Sequence, residues 1–151
     1  MRVGDTVPEF ELPDETGTPR RLSGFLGDGP VVLFFYPAAL TAGCTLEACH
    51  FRDLAVDFKE HEAQRVGISP DRIERLRLFA DRYGLGFPLL SDPGKAVAAA
   101  FGARRRFGFG VRRITFLIGR DGVVADVNAS EVNMITHADR ALYVLRRNSG
   151  P

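Results

Sequence analysis

The two cysteines of the chain, Cys44 and Cys49, are its candidate reactive groups, and they lie five residues apart. The apolar run Val31–Phe35 before them predicts a buried strand. After them, apolar residues recur with the i, i+3, i+4, i+7 spacing of an amphipathic helix, at Phe51, Leu54, Ala55 and Phe58. Cys44 is therefore expected at a helix N-terminus, where free N–H groups and the helix dipole favour an anion. A thiolate is an anion and is the nucleophilic form of cysteine, so this junction is the predicted active site.

Other cysteine chemistries fit the pattern less well. On an ideal helix, five residues correspond to about 140° of rotation and about 7.5 Å of rise, so the two cysteines do not share a face as joint metal ligands would. Cys44, Cys49 and His50 resemble a c-type haem attachment motif, but that motif has two residues between its cysteines. The Cys-x-x-Cys spacing of thioredoxin-like oxidoreductases is absent as well. A non-catalytic redox sensor remains an open alternative.

Length and composition predict one domain spanning residues 1–151, because 45% hydrophobic residues in 151 are enough for a core. The formal net charge of +1 argues against a nucleic-acid partner. No apolar run approaches membrane-spanning length, and residues 1–5 do not resemble a signal peptide, so we expect no membrane partner and a cytoplasmic location. Cysteines there are mostly reduced, which favours catalytic or metal-binding roles over structural disulfides.

Strand and helix signals alternate along the chain and predict an α/β fold with a mixed sheet. The predicted strands are 9–12, 31–35, 65–68, 87–90, 114–118 and 123–127, the last two joined by an Asp-Gly turn. The predicted helices are 44–58, one starting at 69–71 and closed by Gly84, a short one ending near 102, and one starting at a capping box formed by Thr136 and Asp139.

The spacing Pro37-x-x-x-Thr41-x-x-Cys44 resembles the active-site signature of the peroxiredoxins, and a second cysteine five residues later is similar to their Q-type subgroup, the bacterioferritin comigratory proteins. Segments 4–14, 66–71, 87–92 and 113–118 resemble further landmarks of that family. One departure is Ala42, where the family usually has proline, and it concerns the stiffness of the loop. The resemblance implies a thioredoxin-like fold in its peroxiredoxin variant, with a central mixed sheet flanked by helices and an N-terminal hairpin.

The resemblance also implies roles for four residues of this stretch. Cys44 would be the peroxidatic nucleophile that becomes a sulfenic acid, and Cys49 the resolving cysteine that closes an intramolecular disulfide. The Thr41 hydroxyl would hydrogen-bond the peroxide and the thiolate, and Pro37 would shield the cysteine. Each has a plainer alternative: Thr41 as a helix cap, Pro37 as a strand end, and Cys49 as a small buried helix residue.

Arg113 matches the family's Arg-x-[Ser/Thr]-Phe pattern. By this resemblance it would stabilise the thiolate and the charge that develops as the O–O bond breaks. Arg112 is the alternative, and the arginines just upstream are typical of a solvated face. Glu47 would hold the arginine in place, or would simply be an exposed helix residue. Apolar side chains are expected to line the mouth of the site and admit lipid hydroperoxides: Phe35, Tyr36, Leu40 and Phe107.

These observations together predict a thiol-dependent peroxidase of antioxidant defence that reduces hydrogen peroxide and organic hydroperoxides. Thioredoxin or a similar dithiol protein would recycle it, and no metal, haem or flavin cofactor would be needed because sulfur carries the redox chemistry. The expected oligomeric state is a monomer or weak homodimer. A one-cysteine peroxidase with Cys49 in a structural role, and the redox sensor, remain the alternatives.

Overall fold

The computed structural model describes residues 1–106 and 110–148, so Phe107 lies outside the described residues. Near the N-terminus, β1 (Glu11–Pro13) pairs antiparallel with β2 (Pro19–Arg21) in the expected hairpin. Helix α1 (Leu22–Asp28) follows and was not predicted. It contains two glycines, which disfavour a helix in isolation, and buries Leu22 and Phe25 in the core. Tertiary packing therefore outweighs propensity in this helix.

The predicted mixed sheet forms the centre of the fold; it has five strands in the order β5-β4-β3-β6-β7. Its strands are β3 (Val31–Phe35), β4 (Gln64–Ser69), β5 (Leu89–Ser91), β6 (Ile114–Ile118) and β7 (Val124–Ala129). β3 pairs parallel with β4 and antiparallel with β6. β5 starts two residues later than predicted, at Leu89, and Phe87 before it packs its ring against Phe34 in the core.

Helices cover both faces of the sheet. They are α2 (Ala42–Asp53), α3 (Ala55–Glu60), α4 (Ile73–Tyr83), α5 (Ala96–Ala100) and α6 (Thr136–Asn148). Alternation along β3 sends Val32 and Phe34 into the layer with α2, α3, α4 and α6. The other residues of β3 face the layer that contains α1 and α5. Within residues 1–106 and 110–148, no helix is long and apolar enough to cross a membrane.

The helix predicted at 44–58 is in fact two helices, because the chain turns at Leu54 (φ −97°, ψ 21°) between α2 and α3. At the turn, Arg65 Nη1 donates to the carbonyl oxygen of Phe51 at 2.8 Å, which satisfies an acceptor at a helix end. The break accompanies ring packing on both sides of Phe51: its ring stacks on Phe34 at 4.3 Å and lies 5.8 Å from Phe58. The predicted apolar stripe is therefore present, but it extends across the turn between α2 and α3.

The boundaries of α4 and α6 show where local signals succeed and fail. α4 ends at Gly84 in the left-handed conformation (φ 55°, ψ 48°), as predicted. The predicted capping box of α6 is wrong, because Asn133 Oδ1 accepts from the Thr136 N–H and the Thr136 hydroxyl accepts from Asn128. Asp139 is instead 2.7 Å from His50 Nε2 and ties α6 to α2.

Candidate active site

Cys44 is the third residue of α2, directly after the loop that follows β3, and its side chain is only 1% exposed. The sheet places Arg113 next to it, because the antiparallel register of β3 and β6 sets Ile114 opposite Phe35. The residue before β6 and the loop after β3 therefore share one edge of the sheet. Arg113, which follows Cys44 by 69 residues in the sequence, therefore places a positive charge at the junction predicted from the cysteines.

The Arg113 guanidinium bridges two residues on one face of α2. Its Nη2 donates to Cys44 Sγ at 3.4 Å, and its Nη1 donates to Glu47 Oε1 at 2.9 Å. Cys44 and Glu47 are three residues apart, the spacing that places side chains side by side on a helix. Arg113 is 5% exposed, whereas Arg112 is exposed. Arg113, not Arg112, lies at the thiol.

The alternative view of Glu47 as an exposed helix residue is wrong, since it is 1% exposed. Burial raises the pKa of the Glu47 carboxyl to about 8, although the charge and hydrogen bond of Arg113 act in the opposite direction. Burial also lowers the pKa of the Arg113 guanidinium, but the neighbouring Glu47 and Cys44 outweigh it and the net shift is upward. Arg113 therefore keeps its charge against the sulfur.

Thr41 occupies the N-cap position of α2, but its side chain makes no capping hydrogen bond. Its Oγ1 instead donates to the Ala38 carbonyl at 2.7 Å, so the helix-cap interpretation is wrong. Pro37 is half-buried at the start of the same loop. Between them, Leu40 has a φ of 66°, a left-handed conformation that is rare for residues other than glycine. The surrounding structure must hold this loop in place.

The restraint on the loop comes from the start of α4. The Ala39 N–H donates to Asp71 Oδ2 at 2.7 Å, and the Ala39 carbonyl accepts from Arg75 Nη2 at 3.0 Å. Asp71 and Arg75 are themselves ion-paired, with Oδ1 and Nε 3.3 Å apart. Sequence analysis placed Asp71 in a family landmark and at a helix start but gave it no role in the loop, yet α4 begins at Ile73 and the Asp71 side chain contacts the loop. We call Asp71 and Arg75 the loop clamp.

Cys49 is half-buried on α2 and packs against the core layer that contains Cys44. Both thiols are free, and helical geometry places their Cα atoms about 8.7 Å apart. Cα atoms joined by a disulfide lie within about 7 Å of each other. The two cysteines therefore cannot bond while the helix is intact between them.

The predicted apolar mouth is wrong for Phe35 and Tyr36, which are 0% and 1% exposed. Phe35 faces the opposite core layer, because β3 alternates its side chains. Leu40 is half-buried beside the site. Sequence analysis missed Met134, whose Cε would lie 3.0 Å from a Cβ added at Gly43 and which therefore packs against the first turn of α2. Among the described residues, no group of three His, Cys, Asp or Glu side chains could hold a metal ion.

Comparison with known proteins identifies relatives along most of the chain. The AhpC/TSA family matches residues 3–127. A putative peroxiredoxin of Mycobacterium tuberculosis strain H37Rv is 57% identical over 150 residues, which cover 97% of this chain and 97% of that protein. Peroxiredoxin Bcp of Escherichia coli K12 is 39% identical over 133 residues, covering 84% and 85% of the two chains.

Solved structures show the same similarity in three dimensions. The crystal structure of peroxidoxin BcpB from Mycobacterium tuberculosis superposes with a TM-score of 0.96 at 56% identity and covers 99% of both chains. A cysteine-to-serine mutant of PrxQ from Xylella fastidiosa superposes with a TM-score of 0.92 at 28% identity, covering 99% and 98%. The thioredoxin-like peroxiredoxin fold predicted from the sequence is confirmed.

Asp71→Ala should loosen the loop that precedes α2, because it removes the acceptor of the Ala39 amide and one partner of Arg75. Loss of a hydrogen bond to a charged group costs about 1.5–3 kcal/mol, so amide hydrogen exchange at residues 39–42 should accelerate on the order of 10-fold or more. The matched control is Asp81→Ala, an exposed position of the same helix, which should leave that exchange unchanged. Unchanged exchange at residues 39–42 in Asp71→Ala would show that the clamp does not hold the loop.

Proposed function

We infer that Cys44 is the thiol with which this chain reduces peroxides. The chain belongs to the AhpC/TSA family and is a peroxiredoxin, a thiol-dependent peroxidase. One observation carries the assignment: Arg113 Nη2 lies 3.4 Å from Cys44 Sγ in a buried position. A permanent cation and a helix N-terminus both stabilise negative charge at a neighbouring atom. Cys49 lies further along α2 and interacts with the charge of Arg52, but the hydrogen bonds among the described residues give it no bonded cation, so Cys44 is the better nucleophile of the two.

In the first step, the Cys44 thiolate attacks the peroxide oxygen that carries hydrogen. An S–O bond forms as the O–O bond breaks, which leaves a sulfenic acid on the protein and an alkoxide or hydroxide that takes up a proton to become an alcohol or water. Negative charge moves from the sulfur onto the departing oxygen. The Arg113 guanidinium, preorganised by its bond to Glu47, stabilises that charge as it develops.

Two loop residues complete this assignment. The Thr41 hydroxyl donates to the Ala38 carbonyl, so its oxygen is left as an acceptor for the O–H of the incoming peroxide. Pro37 has no N–H and therefore offers no competing donor to the sulfur. The loop clamp on Ala39 lies between them and supports the placement of both.

In the second step, the Cys49 thiol attacks the sulfenic sulfur of Cys44, a disulfide forms and water leaves. A dithiol protein of the thioredoxin kind then reduces the disulfide and restores both thiols. One observation favours a second candidate, a one-cysteine peroxidase: Cys49 is half-buried against the core and cannot reach Cys44 on an intact helix. In that case the external thiol would attack the sulfenic acid directly.

Substitution of each cysteine separates these possibilities in one stopped-flow peroxide titration with mass analysis of the thiols. Cys44→Ser should lose peroxidase activity, because a hydroxyl stays protonated at neutral pH. Cys49→Ser should consume one equivalent of peroxide to form the sulfenic acid, which should accumulate and over-oxidise with a second equivalent instead of turning over with thioredoxin. Full turnover of Cys44→Ser would refute the assignment of the nucleophile. Full turnover of Cys49→Ser would establish the one-cysteine mechanism, and a wild-type protein without turnover would favour a redox sensor.

Arg113→Ala should slow the first step on the order of 10²–10³-fold, the usual cost of removing a preorganised donor at a developing negative charge. The neighbouring Arg112→Ala is the matched control, since Arg112 is exposed. Its rate constant for peroxide should stay within a factor of two or so of wild type. Circular dichroism should show that both variants are folded. A severe defect in Arg112→Ala with a mild one in Arg113→Ala would reverse the assignment.

Disulfide formation should unwind the first turns of α2, because the cysteines are too far apart on the intact helix. The other end of α2 is anchored: Arg65 bonds the Phe51 carbonyl, and Arg52 Nη1 bonds the Tyr83 carbonyl at 2.7 Å. Hydrogen exchange of the oxidised protein should therefore accelerate at residues 45–51 and stay unchanged in α3. Peroxide-treated Cys49→Ser should not show the change. A Cys44–Cys49 bond with full protection of residues 45–51, or a disulfide to another subunit, would contradict the unwinding.

A further inference from the structure

His50 follows Cys49 directly on α2, and its imidazole reaches a different helix. Its Nε2 is 2.7 Å from Oδ1 of Asp139, which belongs to the first turn of α6. A carboxylate only accepts, so Nε2 carries the hydrogen and donates it to Asp139. The His50 side chain is 23% exposed, so the bond is largely shielded from competing water. The residue next to the second cysteine is therefore tied to α6.

The helix α6 is itself firmly attached to the sheet close to Asp139. Arg140 donates through Nε and Nη2 to the two carboxylate oxygens of Asp126 in β7, both at 3.1 Å. The buried imidazole of His137 lies 2.7 Å from Thr115 Oγ1 in β6 and 2.8 Å from the Ser130 carbonyl oxygen. Hydrogen bonds thus join α6 to both neighbouring strands. Asp139 is therefore a fixed point to which α2 is held.

Of the two cysteines, Cys49 has more freedom to move. Cys44 is 1% exposed and accepts a hydrogen bond from Arg113, whereas Cys49 is half-buried. A disulfide requires the separation of their Cα atoms to fall from about 8.7 Å to about 7 Å or less. Whatever part of this approach Cys49 makes displaces His50 by a similar distance. A hydrogen bond does not survive lengthening by about 1 Å, so the contact with Asp139 breaks.

We propose that His50 and Asp139 are positioning residues for the resolving step: their hydrogen bond holds Cys49 on the intact helix and must break before Cys49 reaches the oxidised Cys44. This rests on the proposed function of Cys49 as the resolving cysteine. The bond stabilises the helical state and is absent from the unwound state. It therefore lowers the fraction of molecules that are open, and with it the rate of disulfide formation.

The Cys44 sulfenic acid has two competing fates. With Cys49, an S–S bond forms, the S–O bond breaks, and the departing hydroxide takes the thiol proton and leaves as water; no further oxidant is needed. With a second molecule of peroxide, the sulfenic acid is oxidised to a sulfinic acid and water or an alcohol is released. The rate of the second reaction rises with the peroxide concentration. The strength of the His50–Asp139 bond therefore sets the concentration at which over-oxidation begins.

His50→Leu and Asp139→Ala should each raise the rate constant of disulfide formation about two- to tenfold, the factor that one net hydrogen bond represents. The peroxide concentration that over-oxidises half of the protein should rise by the same factor. Sulfenic acid formation should stay within about twofold of wild type, because Arg113 and Glu47 are untouched. Rapid quenching followed by mass analysis of the thiols measures all three quantities.

Two further variants separate the hydrogen bond from other effects. Leucine and glutamine both form helices more readily than histidine, so propensity alone would slow the unwinding in either variant of His50. His50→Gln keeps an N–H donor and should therefore retain a resolving rate close to wild type. The matched control is Asp57→Ala, which removes a bond between α3 and α6 (3.2 Å to Arg146 Nη2) beyond the Leu54 turn. It should leave the resolving rate unchanged.

A double variant tests whether the two residues act through one bond. His50→Leu/Asp139→Ala should match the faster single variant within about twofold, since either substitution already removes the contact. Amide hydrogen exchange of the reduced proteins at residues 48–50 should accelerate about two- to tenfold in both single variants. It should stay at the wild-type rate in Asp57→Ala. This measurement requires neither peroxide nor turnover.

Wild-type rates of disulfide formation in His50→Leu and Asp139→Ala, a double variant that multiplies their effects, unchanged exchange at residues 48–50, or a His50→Gln variant as fast as His50→Leu would overturn the inference. Failure of the proposed function looks different: peroxide-treated wild type would contain no Cys44–Cys49 disulfide by mass analysis, and the inference would fall with it. A disulfide that forms at rates insensitive to these substitutions refutes the inference alone.

Discussion

The burial of one guanidinium is the constraint on which the site depends. A cation removed from water is strongly destabilising unless charge and hydrogen bonds compensate it. Arg113 has that compensation on two sides, from the Cys44 sulfur and from the Glu47 carboxyl on the same face of α2. Cys44 belongs to the core layer around β3, and Glu47 is 1% exposed. The arrangement gives the sulfur a fixed positive neighbour with little competition from water.

The site also combines firmly held and easily released parts. The loop before α2 is clamped through both backbone groups of Ala39, and the far end of α2 is anchored by Arg65 at the Leu54 turn. Between these anchors, the first turns of α2 are held by their own helical hydrogen bonds, by the packing of Met134 and by the side chains that face Arg113, and His50 is tied to Asp139. Local opening is easiest where the fewest outside contacts must break. The clamp also restrains the loop next to Ala42, where the family usually has proline.

Burial of the Glu47 carboxyl, which is bonded to the arginine, is what raises the pKa of that group. Glu47 Oε1 is bonded to Arg113, while Oε2 has no hydrogen-bond partner and lies 3.6 Å from Nδ1 of His137. The position of His137 depends in turn on Thr115 in β6 and on Ser130.

The sequence by itself determined the elements with strong local patterns and the chemistry with a local motif. The apolar run of β3, the strand β6 and the glycine that ends α4 lie where they were predicted, and the spacing from Pro37 to Cys49 identified the family. The sequence pattern favoured Arg113 and left Arg112 as the alternative, and the tertiary structure decided between them through the register of β3 and β6. It also decided the turn at Leu54, the clamp on Ala39 and the place of His137. These depend on contacts between residues distant in sequence, and local propensity and periodicity carry no information about such contacts.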